Sequence, residues 1–478
     1  MATGHSHQST AARLLRSDPV VKKKLREFLE TDNHTNFFFI ARAWFIIVAS
    51  VALALLFFLE RESWGLSFWW NIPVFIVGLL TVGASQHQLA GAAHEAVHHT
   101  LFKNRKLNEL AGDFLCAFPI LISVHQFRLY HLAHHQFVND PKRDPDFALL
   151  KDSGHWLKFP VSKAKFLWMM FRQIFLIDLV KYILVRVRYN TIGTHAESPY
   201  LVSGKGRNRI PERGAIAVFF LVIAISVAGQ RWGEAWMIPA GSLLVWGLYA
   251  LVLRSLQHDA YEKAKIAPVF HPRLRFAGQT AVFALIVAGL SFWQMTTGLL
   301  VMRAFTFLFY GATVTTLPFF LILRQVIQHG NGDRGWLSNT RVFQMNPFVR
   351  YAIFPFGMDY HLPHHMYATI PHYRLRAFHQ FLLSREQYRE NCRIVDNYVI
   401  PSHTEDATTS ERNPTVVEVL GPEYACVSDE IHIDDSVLDN WEVEGKDALL
   451  REGRITASTA HRISSPEDQK PEPRPLAG

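Results

Sequence analysis

The sequence predicts an all-α integral membrane protein, a transmembrane helix bundle of four to six spans with a histidine-rich cap on its cytoplasmic side. Charged residues make up 19% of the 478 residues, below the ~25% typical of soluble domains. The apolar residues are also gathered into long runs. In addition, nine of the 24 histidines fall in three short clusters.

Six stretches approach the ~20 apolar residues that a membrane-spanning helix needs. They are residues 37–59, 68–90, 214–228, 236–253, 276–294 and 304–323. The third is short and needs neighbouring residues to cross the bilayer. A seventh run, 110–124, is interrupted by Asp113 and Pro119, and we expect it to be interfacial or re-entrant.

The Lys and Arg residues of the connecting segments orient these spans. Segments 1–36, 91–213 and 254–275 carry 6, 18 and 5 of them, whereas the alternate loops 60–67, 229–235 and 295–303 carry one each. Because cytoplasmic loops are enriched in Lys and Arg, this asymmetry predicts six spans with both termini in the cytoplasm.

The three histidine clusters have the spacing of metal ligands. They comprise His94, His98 and His99, then His131, His134 and His135, and finally His361, His364 and His365. Residues three or four apart share one face of a helix, so each cluster presents two or three imidazoles together. Pro363 fits only the first turn of a helix. By the predicted topology, all three clusters lie at span ends on the cytoplasmic side.

The types of donor restrict the kind of metal site. Three scattered cysteines, Cys116, Cys392 and Cys426, exclude a disulfide framework and a site of four thiolates. Eight or more imidazoles exceed the needs of one tetrahedral zinc, so two metals with about four ligands each are expected. Imidazole suits zinc, copper, iron and nickel alike, and the spacing alone does not choose among them.

Three segments resemble the histidine boxes of the membrane-bound fatty acid desaturase/hydroxylase superfamily. They read HEAVHHTLF from residue 94, RLYHLAHHQFVNDPKRDPDF from residue 128 and DYHLPHHMYATIPHYRL from residue 359. The resemblance covers roughly residues 35–385. Hydroxylases, ketolases and acetylenases share these boxes, so the motifs are specific for the superfamily rather than for desaturation.

The resemblance implies a centre of two iron ions, with O2 as co-substrate and no catalytic residue beyond the metal ligands. The implied ligands are His94, His98, His131, His134, His135, His329, His361, His364 and His365. His329 is included because it lies on the segment that leads out of the last span, where the family has a further histidine ligand. Gln325, one turn earlier, could hold a water molecule. His98 is preferred to His99 because positions i and i+4 align on a helix.

Carboxylates in the outer shell of a metal site usually orient its imidazoles. Glu95, Asp144, Asp146 and Asp359 lie close enough in sequence to the histidine boxes to do so.

The expected reaction is O2-dependent desaturation of a lipid acyl chain. The alternatives are a di-iron hydroxylase or ketolase of a lipid, alkane or carotenoid, and a non-catalytic membrane metal-binding protein. The sequence contains no haem-binding HPGG segment, no clustered cysteines and no glycine-rich dinucleotide motif. A separate ferredoxin-like or cytochrome-like electron carrier and its reductase are therefore implied as partners, with no role for nucleic acid.

The chain is expected to have three parts. Residues 1–36 form a cytoplasmic N-terminal segment, in which Arg13–Glu30 either lies on an anionic membrane surface or is an exposed helix. Residues 37–400 form the desaturase-like membrane catalytic domain. Residues 401–478 hold 7 Lys/Arg against 17 Asp/Glu, which predicts an acidic, partly disordered cytoplasmic tail.

Overall fold

The computed structural model describes residues 9–189, 200, 208–257, 260, 261, 264–400, 412–424 and 430–434. The helices in chain order are α1 (Thr10–Ser17), α2 (Pro19–Phe28), α3 (Thr35–Glu60), α4 (Asn71–Val97), α5 (Arg105–Ala111), α6 (Val124–Gln136), α7 (Pro145–Asp152), α8 (Lys163–Arg172), α9 (Leu176–Val187), α10 (Ile210–Trp232), α11 (Met237–Ser255), α12 (Pro272–Thr297), α13 (Val301–Phe305), α14 (Gly311–Val314), α15 (Thr316–His329), α16 (Pro347–Ile353), α17 (His361–Met366), α18 (His372–Leu383), α19 (Glu386–Arg389) and α20 (Val416–Val419). Strands β1 (Val342–Gln344) and β2 (Ile394–Asp396) pair in parallel, with Phe343 opposite Val395.

Among the described residues, six helical stretches are long and apolar enough to cross a membrane. They are Thr35–Glu60, Phe68–Val97, Ile210–Trp232, Met237–Ser255, Pro272–Thr297 and Val301–His329. Each contains or closely overlaps one of the six predicted stretches. The prediction of an all-α, multi-pass membrane protein is confirmed, at the upper end of the expected range of spans.

Helix α4 connects the membrane bundle to the histidine cap. Together with the short turn before it, this helix runs from Phe68 to Val97, a length of about 45 Å at 1.5 Å per residue. The hydrocarbon core of a bilayer is only ~30 Å thick. This helix is therefore longer than the hydrocarbon core, and it packs against α6 and α15.

The interrupted run before the second histidine cluster folds back on itself. The axes of residues 105–120 and 124–136 differ by 93°, and Leu121 between them has a φ of 63°. The backbone N–H of Val124 donates to Asp113 Oδ1 at 2.8 Å, which satisfies a free donor at the start of α6. This bend agrees with the expected re-entrant or interfacial segment, and it turns α6 towards the end of α4.

The last span is broken into α13, α14 and α15. Its most abrupt irregularity is at Thr315, with φ −123° and ψ −78°. Pro318 accounts for the break, since proline has no N–H and its ring clashes with the carbonyl four residues earlier. Helix α15 then continues regularly to His329.

The N-terminal helices pack against the cap through a few apolar residues, while Lys22, Lys23 and Arg26 remain exposed, and the expected contact of this segment with a membrane surface stays a prediction. Ala12, Leu15 and Val21 are buried in a cluster that includes Phe378 and Tyr388. The packing of these few apolar residues gives α1 and α2 a fixed place beside α18 and α19.

Two stretches of the acidic tail also pack on the cap. Val416 and Val419 are buried in the main core, and Asn331 Nδ2 donates to the carbonyl oxygens of Val419 at 2.9 Å and Gly421 at 3.0 Å. Ile431 forms a parallel bridge with Arg334. Residues 401–411, 425–429 and 435–478 lie outside the described residues, so the disorder expected there stays a prediction.

Candidate metal centre

Four helices bring the nine candidate imidazoles together at one end of the bundle. Helix α4 and the residue after it provide His94 and His98, and α15 provides His329. The other six come in threes from α6 and α17. The structure thus places all nine histidines predicted as ligands within one region.

The imidazoles form two groups. The first group contains His94, His98, His131, His135 and His364, whose ligand atoms all lie within 4.8 Å of one another. In the second group, His134, His329 and His365 meet the same criterion. His361 joins them, because its Nε2 lies 2.9 Å from that of His329 and 3.1 Å from that of His365.

Helices α6 and α17 each contribute to both groups. On α6, His131 and His135 are four residues apart and face the first group, while His134 faces the second. On α17, His361 and His365 face the second group and His364 faces the first. Pro363 lies in the first turn of α17, as the sequence predicts, so it does not interrupt this spacing.

The distances between these nitrogen atoms fit metal ligation. The Nε2 atoms of His131 and His135 are 3.0 Å apart, and those of His135 and His364 are 3.1 Å apart. In the second group, His134 Nε2 lies 3.2 Å from His329 Nε2. With a metal–nitrogen distance of about 2.1 Å, as for imidazole on zinc, ligand nitrogens at right angles lie about 3 Å apart. His94 Nε2 and His98 Nε2 are buried without a hydrogen-bond partner among the described residues, which also fits a metal at that place.

Burial keeps most of these imidazoles in the form that binds metal. It lowers the pKa values of His131, His135, His361 and His365 well below their ordinary value, because a charged imidazolium loses its hydration. Metal ligation requires this neutral form.

His134 differs because two acids lie beside it. Burial lowers the pKa of His134, but Asp144 and Asp146 raise it, and the balance places it at about 9. Asp144 Oδ1 lies 2.9 Å from His134 Nδ1, so the proton is held on Nδ1 and Nε2 is left to face the group. A metal bound at Nε2 would take the place of the second proton.

Comparison with known proteins decides the family. The family model described as fatty acid desaturase matches residues 72–275 and 243–395, more than half of the chain. The chain belongs to the fatty acid desaturase family. The match confirms the superfamily that the three histidine boxes predict and, at the level of the family, an oxidoreductase.

Individual desaturases match over shorter regions. A dihydrorhizobitoxine desaturase of Bradyrhizobium elkanii is 30% identical over 147 residues, which are 30% of this chain and 38% of that protein. A sphingolipid delta(4)-desaturase of Drosophila melanogaster is 28% identical over 177 residues, 37% of this chain and 49% of that protein. A delta(5) fatty acid desaturase of Caenorhabditis elegans is 34% identical over 76 residues, 16% of this chain and 17% of that protein. The chain therefore spans less than half the length of each of these relatives.

The four carboxylates near the histidine boxes of this chain have different contacts. Asp144 contacts His134 and also caps α7 through the N–H of Asp146 at 2.9 Å. Asp146 accepts a hydrogen bond from Tyr130 and lies 3.8 Å from His134 Nδ1. Glu95, in the first box, instead accepts a hydrogen bond from the backbone N–H of His372 at 2.9 Å. His372 lies at the end of the third box, so this bond links the two boxes. Asp359 pairs with Arg350 at 2.7 Å, and the structure shows no bond between it and a candidate ligand.

The structure separates His98 from His99. Helix α4 ends in a turn in which the N–H of Thr100 donates to the carbonyl of Glu95 at 2.9 Å. His99 has a φ of 60°, at the position where a helix commonly ends in the left-handed conformation. Its Nδ1 lies 3.3 Å from Asn108 Nδ2, and it belongs to neither imidazole group.

Several polar residues at the site carry no signal in the sequence. Tyr182 and Arg186 come from α9, inside a segment whose basic residues indicate only sidedness. Tyr182 donates to Gln325 Oε1 at 2.8 Å, and Arg186 Nη1 donates to Tyr182 at 3.0 Å. Arg324 also faces the histidines, across a small void. The sequence suggests that Gln325 could hold a water molecule. In the structure its Oε1 accepts the hydrogen bond from Tyr182.

Proposed function

We propose that this chain uses two iron ions, one in each imidazole group, for the O2-dependent desaturation of a lipid acyl chain. The observation that carries the proposal is the pair of adjacent, buried imidazole groups. The first group offers five donors and the second offers four. Neither contains a thiolate, and the family to which the chain belongs supports the reaction.

The bound irons would supply the reduction of O2 and the oxidation of an unactivated carbon, chemistry that side chains alone lack. The protein orients the ligands that hold them. Asp144 holds the Nδ1 proton of His134, and the carbonyl of Asn339, 3.1 Å from His329 Nδ1, does the same for His329. Both contacts direct Nε2 towards the centre, as outer-shell partners do in metal sites.

An acyl lipid is the substrate class that the relatives favour. Two of those compared above are named as sphingolipid and fatty acid desaturases. Reduction of O2 to water takes four electrons, and formation of one double bond releases two. The other two come from a separate ferredoxin-like or cytochrome-like carrier with its reductase, which we propose as partners.

Metal analysis and lipid profiling test this proposal together. Protein purified without chelators should contain about two irons per chain. A host that expresses the chain with a compatible electron donor should gain lipids with new double bonds. A reproducible single zinc without iron would contradict the metal assignment. New hydroxyl groups without new double bonds would indicate the hydroxylase alternative, which none of the compared relatives favours.

We also propose that both termini and the metal centre face the cytoplasm. The asymmetry of Lys and Arg supports this orientation, and an even number of spans, such as the six candidates, is consistent with both ends of the chain on one side. Reporter tags at residue 5 and after residue 478 should be inaccessible from outside intact cells. External labelling of either tag would contradict the proposal.

A further inference from the structure

The short helices α8 and α9 carry a large exposed apolar surface. With the turn that joins them they make up residues 163–188, here called the helix pair, between the second and third candidate spans. Its large exposed apolar side chains are Leu167, Trp168, Phe171, Ile174, Phe175, Leu176, Ile177, Val180 and Leu184. By contrast, residues 330–398 of the cap, all of them described, expose one such side chain, Phe348. An exposed apolar surface of this kind marks contact with a membrane or with another protein.

The exposed side chains form a continuous surface from α8 across the turn. The ring of Trp168 stacks on that of Phe171 with their centroids 5.5 Å apart, and Phe171 meets Phe175 edge to face at 5.9 Å. Residues 174–177 are four consecutive exposed apolar residues. Tryptophan is enriched where proteins meet the interface of a membrane with water, so this row of rings fits a lipid surface.

The turn shows no unpaired charge among its described residues. Arg172 Nη2 lies 2.8 Å from Asp178 Oδ2, so the two charged residues that flank the turn pair with each other. Gln173, between them, is buried, and its Oε1 lies 3.1 Å from His155 Nε2. The polar groups of the turn are thus satisfied within the protein, and residues 174–177 are left to face outwards.

Basic residues border the apolar surface. Lys163 and Lys165 precede it on α8, and Lys181 and Arg188 are exposed on α9. The helix pair holds six Lys/Arg and one Asp in all. Basic residues beside an apolar face are typical of helices that lie in a membrane surface with anionic lipids, and the cytoplasmic leaflet has such lipids. A second copy of this surface would instead bring like charges together.

The helix pair also adjoins the membrane-spanning part of the chain. Helix α9 packs against α14 and α15, which both belong to the last candidate span, Val301–His329. Helix α14 lies well inside this span, and Val314 at its end is exposed. Because α9 contacts the span there, the outer face of α9 continues the surface that the span presents to lipid.

We propose that the helix pair is embedded in the cytoplasmic leaflet of the bilayer, with residues 174–177 among the acyl chains. Helix α9 has 12 residues, about 18 Å at 1.5 Å per residue, which is too short to cross a hydrocarbon core of ~30 Å. The helix pair therefore enters one leaflet and leaves the number of spans unchanged. The lysines reach the headgroups, because their apolar stems can lie along the surface while the charge stays in water.

The inner side of the helix pair contacts the surroundings of the candidate metal centre. Tyr182 of α9 donates to Gln325 Oε1 at 2.8 Å. Gln325 and His155, the neighbour of Gln173, line a cavity of about 490 Å³ together with His134 and His329. An embedded helix pair thus holds the candidate metal centre close to the membrane surface, the place where a lipid substrate lies.

Fluorescence quenching in lipid nanodiscs of phosphatidylcholine and phosphatidylserine tests the proposal on the full-length protein. The native cysteines are replaced by alanine, and a nitrobenzoxadiazole fluorophore is attached to Ile177→Cys. Leu285→Cys on α12 is the control in a candidate span, and Phe348→Cys is the control on the cap; the three side chains are 71%, 74% and 87% exposed. Lipids with a nitroxide on the acyl chain should quench positions 177 and 285 to a similar extent and leave position 348 unquenched. Iodide in the water should quench position 348 alone.

Two results would overturn the proposal. Quenching of position 177 by iodide as strongly as position 348 would place the helix pair in water. Quenching of position 177 by neither reagent would mean that protein, rather than lipid, covers this surface.

Photocrosslinking keeps the test open if the cysteine variants do not fold, since it uses the unaltered protein. Phosphatidylcholine with a diazirine on its acyl chain should label peptides from residues 167–184 as well as peptides from the candidate spans. Peptides from α18, inside the cap, are the control and should stay unlabelled. Labelled spans without label on residues 167–184 contradict the proposal.

The outcomes also separate this inference from the proposed function. The name of the leaflet rests on the proposed orientation, whereas the embedding does not depend on the reaction. Iron and new double bonds together with a water-exposed position 177 would reject the embedded helix pair alone. Lipid quenching of position 177 in a protein that forms no double bond would reject the desaturation reaction alone.

Discussion

The two imidazole groups are built in different ways although they lie side by side. In the first group, the Nδ1 atoms of His94, His135 and His364 have no hydrogen-bond partner among the described residues. In the second group, a carboxylate orients His134 and a backbone carbonyl orients His329. The first group relies on the number and packing of its imidazoles. The second has four donors: polar contacts fix two of them, and the Nδ1 atoms of His361 and His365 have no hydrogen-bond partner among the described residues.

This difference gives the two metal positions unequal surroundings. Asp144 and Asp146 lie beside the second group, and charged partners of this kind raise the basicity of a ligand. The first group has its nearest acid in Glu95, whose carboxylate is 3.8 Å from His94 Nδ1 and hydrogen-bonded elsewhere. We therefore expect the two metals to respond differently to substitutions of nearby acids.

The largest effect should come from removing one ligand from each group. His329→Ala should empty the second position and His364→Ala the first, so each variant should retain about one iron per chain. Activity in both should fall by more than the ~100-fold limit usual for outer-shell partners. Iron content and turnover measure the effect. His379→Ala is the matched control, since His379 is buried but bonds Tyr388 at 2.8 Å and is outside both groups.

Loss of both irons in each of these variants would contradict the proposal that the two groups bind metal separately, because the two groups would then act as one unit. Two irons retained in His329→Ala would remove His329 from the ligand set.

An intermediate effect is expected from Asp144→Asn. Asparagine is as good a helix N-cap as aspartate, so α7 should remain, while the charge beside His134 is lost. Loss of such a partner typically lowers metal affinity or activity by ~10–100-fold. A chelator titration should therefore show one weakened iron, that of the second group. Asp359→Asn, which changes a carboxylate paired with Arg350, should leave both irons in place. If both irons weaken equally in Asp144→Asn, the contrast between the groups is wrong.

The smallest effect is expected at His99. Its left-handed backbone conformation costs roughly 1–2 kcal/mol for a residue other than glycine. His99→Gly should therefore retain both irons and full activity, with a melting temperature at or slightly above that of the unaltered protein. An empty first position in this variant would make His99 the ligand in place of His98.

The sequence could reveal the parts of this molecule that depend on local patterns. The length and apolar character of the spans predict six helices, Asp113 and Pro119 mark the bend before α6, and helical spacing favours His98 over His99. The candidate metal donors are rare residues in dense clusters, so their convergence at one site is predictable from their spacing along the chain.

What could not be predicted depends on contacts between distant segments. Arg186 is one of 18 basic residues between positions 91 and 213, and only the packing of α9 against α15 turns it towards the void. Likewise, α1 and α20 are anchored by a few apolar residues such as Leu15 and Val416. Such isolated residues look the same in an exposed or disordered segment.

The contribution of α17 to both groups determines when in the life of the chain the centre can form. His364 belongs to the first group, and His361 and His365 belong to the second. During synthesis, neither set of donors is complete until these last histidines have left the ribosome, by which time the sixth candidate span has already been made. A metal held by the complete donor set of either group would therefore be bound only after all six candidate spans have been synthesised.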